Sequence, residues 1–354
     1  MSDNDHTSPL PGVTTIGVDT LPIDVRPIIV GVDGSITSAH ALHAAREIAE
    51  LLGRPLNAVL AWQWPEAEYR GWAAGLDWSP ERDARERLEA MVAHEFGDDG
   101  APPWFTATIG AGSPASVLID SSRGAQLLVV GGRGHGGFAG LLLGSVSEAV
   151  SRHASCPVLV VREDRTGIDD GDDRPIVVGV DGSPGSLEAL RVAAEAARTL
   201  SCPLEVLFVW HEPTSFLGGY PLGLTWSPEE DARAALVRSL EDVLGPEPAP
   251  GVSGSIREGR AASVLIRAAA HARALVVGAR GHGGFQGLLL GSVSDECVRH
   301  SSAPVLVVPD ALRTAEREAI VAEQRFERET NPFVDATGPS PADGSAPTLE
   351  RATS

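Results

Sequence analysis

Lysine is absent from this sequence of 354 residues: its 28 positively charged side chains are all arginine, and the formal net charge is −20. A surface this acidic repels the phosphate backbone of nucleic acids and the headgroups of anionic membranes. We therefore expect neither a nucleic acid nor a membrane as the main partner. Without lysine, the chain also cannot carry the Gly-Lys-Ser/Thr end of a Walker phosphate-binding loop.

Cysteine is scarce as well, and Cys156, Cys202 and Cys297 lie far apart without the spacing of metal ligands. They form no disulfide framework, so we expect three small buried side chains in a reducing cytoplasm. No apolar run reaches the roughly 18 residues that a membrane span requires. The first residues, MSDNDHTSPLPG, lack the basic and then apolar layout of a secretory signal. The sequence thus predicts a soluble, cytoplasmic protein.

Long stretches of the sequence are present twice. IIVGVDGS at 28–35 returns as IVVGVDGS at 176–183, and 23 of 31 positions are identical between 131–161 and 278–308. An internal repeat of this size predicts two copies of one domain. The predicted segments are an N-terminal tail at 1–25, a first domain at 26–161, a linker at 162–173, a second domain at 174–309 and a C-terminal tail at 310–354.

The segments outside the repeat have the composition of linkers and tails. EDRTGIDDGDDR, between the copies, is acidic and glycine-rich, which is typical of a solvated linker. In the C-terminal tail, ALRTAEREAIVAEQRFER at 311–328 can form one helix. The end that follows has the Pro, Ser, Thr and Gly content of disorder.

Within the first copy, short apolar runs alternate with runs of helical period. PIIVGV, LNAVLAW, WFTATI, AQLLVVG and PVLVV predict buried strands. The intervening runs predict helices, one N-capped by Ser79 with Pro80 at its first position and one closed by Gly53. This alternation predicts an α/β fold with a parallel sheet covered on both faces. Such sheets bind ligands at the carboxyl ends of the strands, where we expect the loops GVDGS and GGRGHGG to meet.

The glycine-rich loop of each copy has the residue types of a phosphate cradle. It reads GGRGHGGFAGLLLGS in the first copy and GARGHGGFQGLLLGS in the second. Glycine lets successive N–H groups approach a guest closely, and a helix start at Gly144 and Ser145 offers unpaired N–H groups and a positive dipole. Arg133 adds a permanent positive charge. The alternative is that the glycines only turn the chain, but the loop recurs with its Arg, His and Ser, so we favour phosphate binding.

A dinucleotide motif, G-x-G-x-x-G, fits this loop less well. Gly132, Gly134 and Gly137 match it in the first copy, but Ala279 interrupts the match in the second, and both loops follow the fourth predicted strand rather than the first. What both copies keep is the spacing Gly-x2-Gly-x9-Gly-Ser. The positions that share this spacing are Gly131, Gly134, Gly144 and Ser145, and again Gly278, Gly281, Gly291 and Ser292.

This spacing, with VGVDGS upstream and PVLVV at the end of each copy, closely resembles the ATP-binding branch of the universal stress protein family in its tandem two-domain form. The resemblance implies two tandem Rossmann-like domains, each a five-stranded parallel sheet of order 3-2-1-4-5 with helices on both faces. It also implies that the two copies pair through their last strands and that two chains associate into a homodimer.

The resemblance further implies that ATP, with Mg²⁺, lies across the ends of the first and fourth strands of each copy. In the first copy the implied binding positions are Gly31, Asp33, Ala61, Gly131, Gly132, Arg133, Gly134, His135, Gly136, Gly137, Gly144, Ser145 and Val146. In the second copy they are Gly179, Asp181, Val209, Gly278, Ala279, Arg280, Gly281, His282, Gly283, Gly284, Gly291, Ser292 and Val293. Because Val209 replaces Ala61, the two sites are expected to differ in affinity. No site for a metal held by side chains is predicted.

Several of these side chains have a second interpretation. Asp33 and Asp181 could accept a hydrogen bond from the ligand or help to hold Mg²⁺, but Asp before Gly is also a common turn former. His135 and His282 could touch phosphate or simply be exposed. The tryptophan-rich segment that follows the second strand of each copy could cap adenine, form a lid or pack the copies together, and we favour packing.

The sequence leaves three functions open. We favour an intracellular ATP-binding stress or regulatory protein, with one nucleotide site per copy, whose ligand state alters its protein contacts. The first alternative is a slow ATP hydrolase with the fold of ATP pyrophosphatases, although no nucleophile with a paired base is evident. The second is a dimerising scaffold without nucleotide, because an apolar last strand such as PVLVV invites pairing at its edge.

Overall fold

This computed structural model describes residues 13–16, by their backbone, and residues 26–64, 79–134, 143–162, 172–212, 227–282 and 290–310. The strands in these residues are β1 (Val13–Ile16), β2 (Ile28–Gly31), β3 (Leu56–Trp62), β4 (Phe105–Ala111), β5 (Leu127–Gly131), β6 (Val158–Val161), β7 (Ile176–Val180), β8 (Leu204–Trp210), β9 (Val252–Glu258), β10 (Ala274–Gly278) and β11 (Val305–Val308). The helices are α1 (Ile36–Leu52), α2 (Pro80–Phe96), α3 (Pro114–Ser121), α4 (Ser145–His153), α5 (Pro184–Thr199), α6 (Pro228–Leu244), α7 (Ala261–Ala269) and α8 (Ser292–His300).

Local sequence sets the helix ends. The predicted cap of α2 is confirmed, because the Ser79 side chain accepts a hydrogen bond from the N–H of Arg82 and Pro80 follows in the first turn. The predicted end of α1 is confirmed as well. Gly53 has φ +58° and its N–H bonds to carbonyls of the last turn, a left-handed cap that suits glycine. In the second copy the corresponding residue is Ser201, at φ +51°.

Each copy contributes five parallel strands in the predicted order. That order is β4-β3-β2-β5-β6 in the first copy and β9-β8-β7-β10-β11 in the second, which is 3-2-1-4-5 when each copy's strands are counted along its chain. The first strand therefore lies between the second and the fourth. In the first copy, Gly31 of β2 lies beside Val59 of β3 and Val130 of β5. The predicted α/β fold with two tandem Rossmann-like domains is confirmed.

The two copies join into one sheet through their last strands, as the resemblance implied. β6 and β11 pair antiparallel, with Leu159 opposite Leu306 and Val158 opposite Val307. Both copies fall within one compact unit of the chain, Met1–Thr314.

The apolar core is continuous across this junction on one face of the sheet. There, Val158 and Val160 of β6 and Val305 and Val307 of β11 belong to one buried cluster, covered by α3, α4, α7 and α8. On the opposite face each copy has its own cluster, under α1 and α2 in the first copy and under α5 and α6 in the second. Helices thus cover both faces, as the near-continuous apolar strands predicted.

One strand was not predicted. β1 lies in the segment expected to be an N-terminal tail, and it pairs antiparallel with β4, placing Val13 opposite Gly110. The predicted helix at 311–328 and the disordered end lie outside the described residues, as do most of the linker and of the tryptophan-rich segments. Among the described helices, none is long and apolar enough to cross a membrane.

Candidate functional site

The two loops that were expected to meet do so at the carboxyl edge of the sheet. In the second copy, Oδ2 of Asp181, just after β7, accepts a hydrogen bond from the backbone N–H of His282, beyond β10, at 3.1 Å. In the first copy the aspartate also approaches the glycine-rich loop, since a Cβ added to Gly134 would lie 2.5 Å from Oδ2 of Asp33. A Cβ added to Gly281 would likewise overlap Asp181. Glycine at these two positions therefore makes room for the aspartate.

Serine side chains fix the orientation of this aspartate. Oδ1 of Asp181 accepts hydrogen bonds from the N–H and the Oγ of Ser183, at 3.0 and 2.6 Å, and Asp33 makes the same two contacts with Ser35. Burial acts to raise the pKa of Asp181, but these hydrogen bonds outweigh it and hold the pKa below its ordinary 3.8. The second copy thus presents a fixed negative charge at the edge of the sheet.

A cavity of about 390 Å³ opens beside Asp181 in the second copy. Its volume is within the range of small-molecule sites, about 300–1,000 Å³. The predicted residues that line it are Gly179, Asp181, Val209, Gly278, Arg280, Gly281, Gly291, Ser292 and Val293. The other lining residues, which sequence reasoning did not single out, are Val180, Ser186, Leu207, Ala261, Leu265, Val277 and Ser294. The cavity is therefore lined by both apolar and polar residues.

Two predicted positions of the second copy, Ala279 and His282, do not line the cavity. Ala279 is buried. The His282 side chain is 65% exposed, and its Nδ1 lies 3.7 Å from Oδ1 of Asp181, so both its ring and its backbone N–H face this aspartate. Gly283 and Gly284 lie outside the described residues, as do His135, Gly136 and Gly137 of the first copy.

The helices that follow the glycine-rich loops begin without a side-chain cap. Among the other described helices, α7 also has no side-chain cap after Arg260, and five start at a serine whose side chain accepts a backbone hydrogen bond. By contrast, α4 begins after Gly144 and α8 after Gly291, with no side-chain hydrogen bond at either cap. The first N–H groups of such a helix have no partner within the helix and carry the positive end of its dipole. In the second copy this helix start borders the cavity through Ser292 and Val293.

Backbone hydrogen bonds close the base of each glycine-rich loop. The N–H of Gly144 donates to the carbonyl of Gly132 at 2.8 Å, and the N–H of Gly291 donates to that of Ala279 at 2.7 Å. These N–H groups, which were expected to help complete the anion site, are therefore engaged within the loop. The helices themselves begin one residue later, at Ser145 and Ser292.

Two glycines that the sequence assigned to the phosphate loop are required by packing. A Cβ on Gly131 would lie 2.8 Å from the carbonyl oxygen of Thr37, and one on Gly278 would lie 2.7 Å from the backbone of Gly185. The start of α1 therefore lies against the end of β5, and the start of α5 lies against the end of β10. The missing side chain thus serves the close approach of helix and strand.

The arginines of the two loops have different surroundings. Arg280 forms an ion pair with Asp310, Nη2 to Oδ2 at 3.1 Å. In the first copy, the carbonyl of Arg133 accepts a hydrogen bond from Thr37. Burial, and secondarily the charge of Arg133, lowers the pKa of Arg162, which lies at the end of β6. Two arginines are thus close together in the first copy.

Comparisons with known proteins match both copies of the repeat. The family described as the Universal stress protein family matches residues 24–162 and 174–309. A universal stress protein of Mycolicibacterium smegmatis is 34% identical over 287 residues, which cover 79% of this chain and 96% of that protein. One of Mycobacterium tuberculosis is 30% identical over 293 residues, covering 80% and 97%.

Solved structures show the same fold. A universal stress protein from Archaeoglobus fulgidus is similar with a TM-score of 0.52 at 21% identity, covering 80% of this chain and 96% of that chain. A protein of unknown function from Pseudomonas aeruginosa is similar with a TM-score of 0.58 at 17% identity, covering 85% and 98%.

Proposed function

This chain belongs to the universal stress protein family, and we propose that each of its two copies binds one adenine nucleotide, ATP with Mg²⁺, at the carboxyl edge of the sheet. The nucleotide state then regulates which proteins the chain contacts in the cytoplasm. The observation that carries this proposal is the cavity of the second copy. It joins most of the predicted motif residues to a helix start without a cap.

The chemistry of the cavity suits a nucleotide. Leu207, Val209 and Leu265 supply an apolar wall of the kind that accommodates a base. The start of α8 supplies the positive partial charge that favours a phosphate chain. Arg280, which also lines the cavity, is paired with Asp310 and would have to share its charge with the phosphates. The apolar and anionic parts of ATP thus have complementary residues in one cavity.

The residues present also suit a magnesium ion that arrives with the phosphates. In the described part of the chain there is no group of three or more side chains that could hold a metal by itself. Mg²⁺ commonly binds through one or two carboxylates together with substrate phosphates. The fixed carboxylate of Asp181 is such a ligand, and Asp33 occupies the same position in the first copy.

Titration calorimetry with purified protein tests the proposal. We expect ATP with Mg²⁺ to bind with a stoichiometry of two per chain, and at about 100 times its dissociation constant to stabilise the fold by about 2.7 kcal/mol. AMP, cyclic AMP and NAD serve as competitors of related chemistry. No heat and no thermal shift with any adenine nucleotide would reject the proposal and favour a scaffold role. Mass spectrometry of ligand released from the purified protein gives an independent answer.

A dedicated hydrolase is less well supported by the same geometry. The serine nearest a carboxylate in the second site, Ser183, donates to Asp181 and caps α5 through a hydrogen bond from the N–H of Ser186. Its hydroxyl is thus engaged in folding contacts. Release of phosphate or pyrophosphate at several turnovers per second would overturn this view.

The proposal also includes a homodimer of two chains. Light scattering tests this part, and a strict monomer would remove it.

A further inference from the structure

Four charged side chains meet between the two copies, on the helices that begin at the candidate sites. We call Glu148 and Arg152 of α4, with Asp295 and Arg299 of α8, the inter-copy ion cluster. Within each helix, Arg152 lies 2.7 Å from Glu148 and Arg299 lies 2.8 Å from Asp295. Between the copies, Nη2 of Arg299 lies 2.8 Å from Oε1 of Glu148, and Nη2 of Arg152 lies 3.2 Å from Oδ1 of Asp295. Each carboxylate therefore contacts one arginine from each copy.

Both carboxylates of the cluster lie in the first turn of their helices, next to the proposed phosphate position. Glu148 follows Ser145 by three residues, a rise of about 4.5 Å along the helix axis, and Asp295 has the same place after Ser292. A lone carboxylate there would repel a phosphate bound at the same helix start. The two arginines cancel this charge, so the cluster as a whole is neutral.

Solvent screens the four groups of the cluster only partly. Their side chains are 26–39% exposed. Burial acts to raise the pKa of Asp295, but hydrogen bonds from Arg299 and Arg152 hold it below its ordinary value, and the bond to Asp295 raises the pKa of Arg299. Charges in such partly buried positions act on a neighbouring anion more strongly than fully exposed ones.

We infer that the inter-copy ion cluster sets the affinity of both nucleotide sites for phosphate, with each copy supplying an arginine to the carboxylate beneath the other copy's site. Arg299 of the second copy thereby acts on the first site through Glu148, and Arg152 of the first copy acts on the second site through Asp295. All four are positioning residues, since none is placed in contact with the ligand. The inference rests on the proposed function, because it concerns the affinity of the same sites.

A role of the cluster in charge and a role in packing predict different results for Glu148→Gln and for the double variant. Arg299→Gln leaves the cluster with one net negative charge, and we expect it to weaken ATP binding about fivefold at low salt. Glu148→Gln leaves one net positive charge and should tighten ATP binding by a similar factor. The double variant Glu148→Gln with Arg299→Gln restores neutrality and should bind within about twofold of the unchanged protein. If the cluster only holds the copies together, all three variants weaken binding.

Further measurements separate charge from folding. Arg299→Lys keeps the charge and should retain most of the affinity, and adenosine, which has no phosphate, should respond to none of the variants. Raising the salt concentration should shrink each effect. The matched control is Arg123→Gln, which removes an arginine from an exposed pair with Asp120 just before β5, at the amino ends of the strands, and should leave ATP affinity unchanged.

The binding titration uses the full chain with ATP and, in parallel, with inorganic tripolyphosphate. Loss of binding in both Arg299→Gln and Glu148→Gln, or no change in either, overturns the inference while leaving nucleotide binding established. Binding of tripolyphosphate without ATP, with the opposite shifts in the two variants, rejects the adenine nucleotide and supports the role of the cluster. An unchanged protein that binds neither probe rejects both the proposed function and the inference.

Discussion

Replacing the first serine of each uncapped helix by aspartate separates nucleotide binding from folding. Ser145 and Ser292 are exposed and begin α4 and α8 directly after glycine caps. An acidic side chain in the first turn favours the positive end of the helix dipole and stabilises a protein by about 0.3–1 kcal/mol. Ser292→Asp should therefore keep or slightly raise the melting temperature of the protein without ligand.

The same substitution should weaken phosphate binding strongly. If a phosphate occupies the helix start, the new carboxylate lies about 5 Å from it, and at an effective dielectric constant of about 20 the repulsion costs about 3 kcal/mol per phosphate charge. That corresponds to a loss on the order of a hundredfold in affinity. Calorimetry should show one remaining site in either single variant, Ser145→Asp or Ser292→Asp, and none in the double variant.

A matched control places the same charge elsewhere. Ser253 is exposed near the beginning of β9, at the amino ends of the strands, so Ser253→Asp should change neither ATP affinity nor stoichiometry. Full binding of ATP by the Ser145→Asp, Ser292→Asp double variant would refute the reasoning, because the phosphates could not then lie at the helix starts. A large loss of stability in the variants without ligand would contradict the assignment of these helix ends as uncapped.

Three further predictions follow from local features. Val209→Ala widens the cavity and should tighten ATP binding at the second site by about tenfold. Calorimetry measures this after the first site has been disabled, and unchanged affinity would show that the base does not lie against residue 209. Burial raises the pKa of Cys156 and of Cys297 to about 12, so neither thiol should react with a thiol reagent at pH 8 until the protein is unfolded. Gly53 and Ser201 occupy the same left-handed position after the first long helix of each copy. In denaturant titrations, Gly53→Ala should destabilise the protein by about 1 kcal/mol and Ser201→Gly should stabilise it by up to about 1 kcal/mol. Changes of the same sign in the free energy of unfolding would contradict the shared backbone geometry.

The fold could be predicted from sequence because local signals and the repeat agreed. Apolar runs such as LNAVLAW coincide with a strand, β3, and Ser79 with Pro80 marks the start of α2. The strand order came from the family resemblance, since periodicity alone does not say which strands are neighbours. β1 could not be predicted, because VTTI is a four-residue run without a counterpart in the second copy. Its strand structure depends on the edge of β4 that it covers.

The site was predictable at the level of loops but not of contacts. Glycine spacing identified the right segment, yet it could not show that Gly134 makes room for Asp33 or that Gly278 packs against the start of α5. In both cases the residue that requires the glycine lies about 100 positions away in the chain. The inter-copy ion cluster was invisible for the same reason: Glu148 and Arg299 become neighbours only after β6 and β11 have paired.

The antiparallel junction of β6 and β11 relates the two copies as an isologous interface relates the halves of a symmetric homodimer. In a true homodimer every substitution appears twice, so both halves must keep identical sites. Here the halves are covalently one polypeptide and have diverged: Thr37 in one corresponds to Gly185 in the other, and Arg162 to Pro309. Under the proposed function, a single molecule can thus carry two unequal versions of one nucleotide site and respond over a wider span of ligand concentration than two equal sites would.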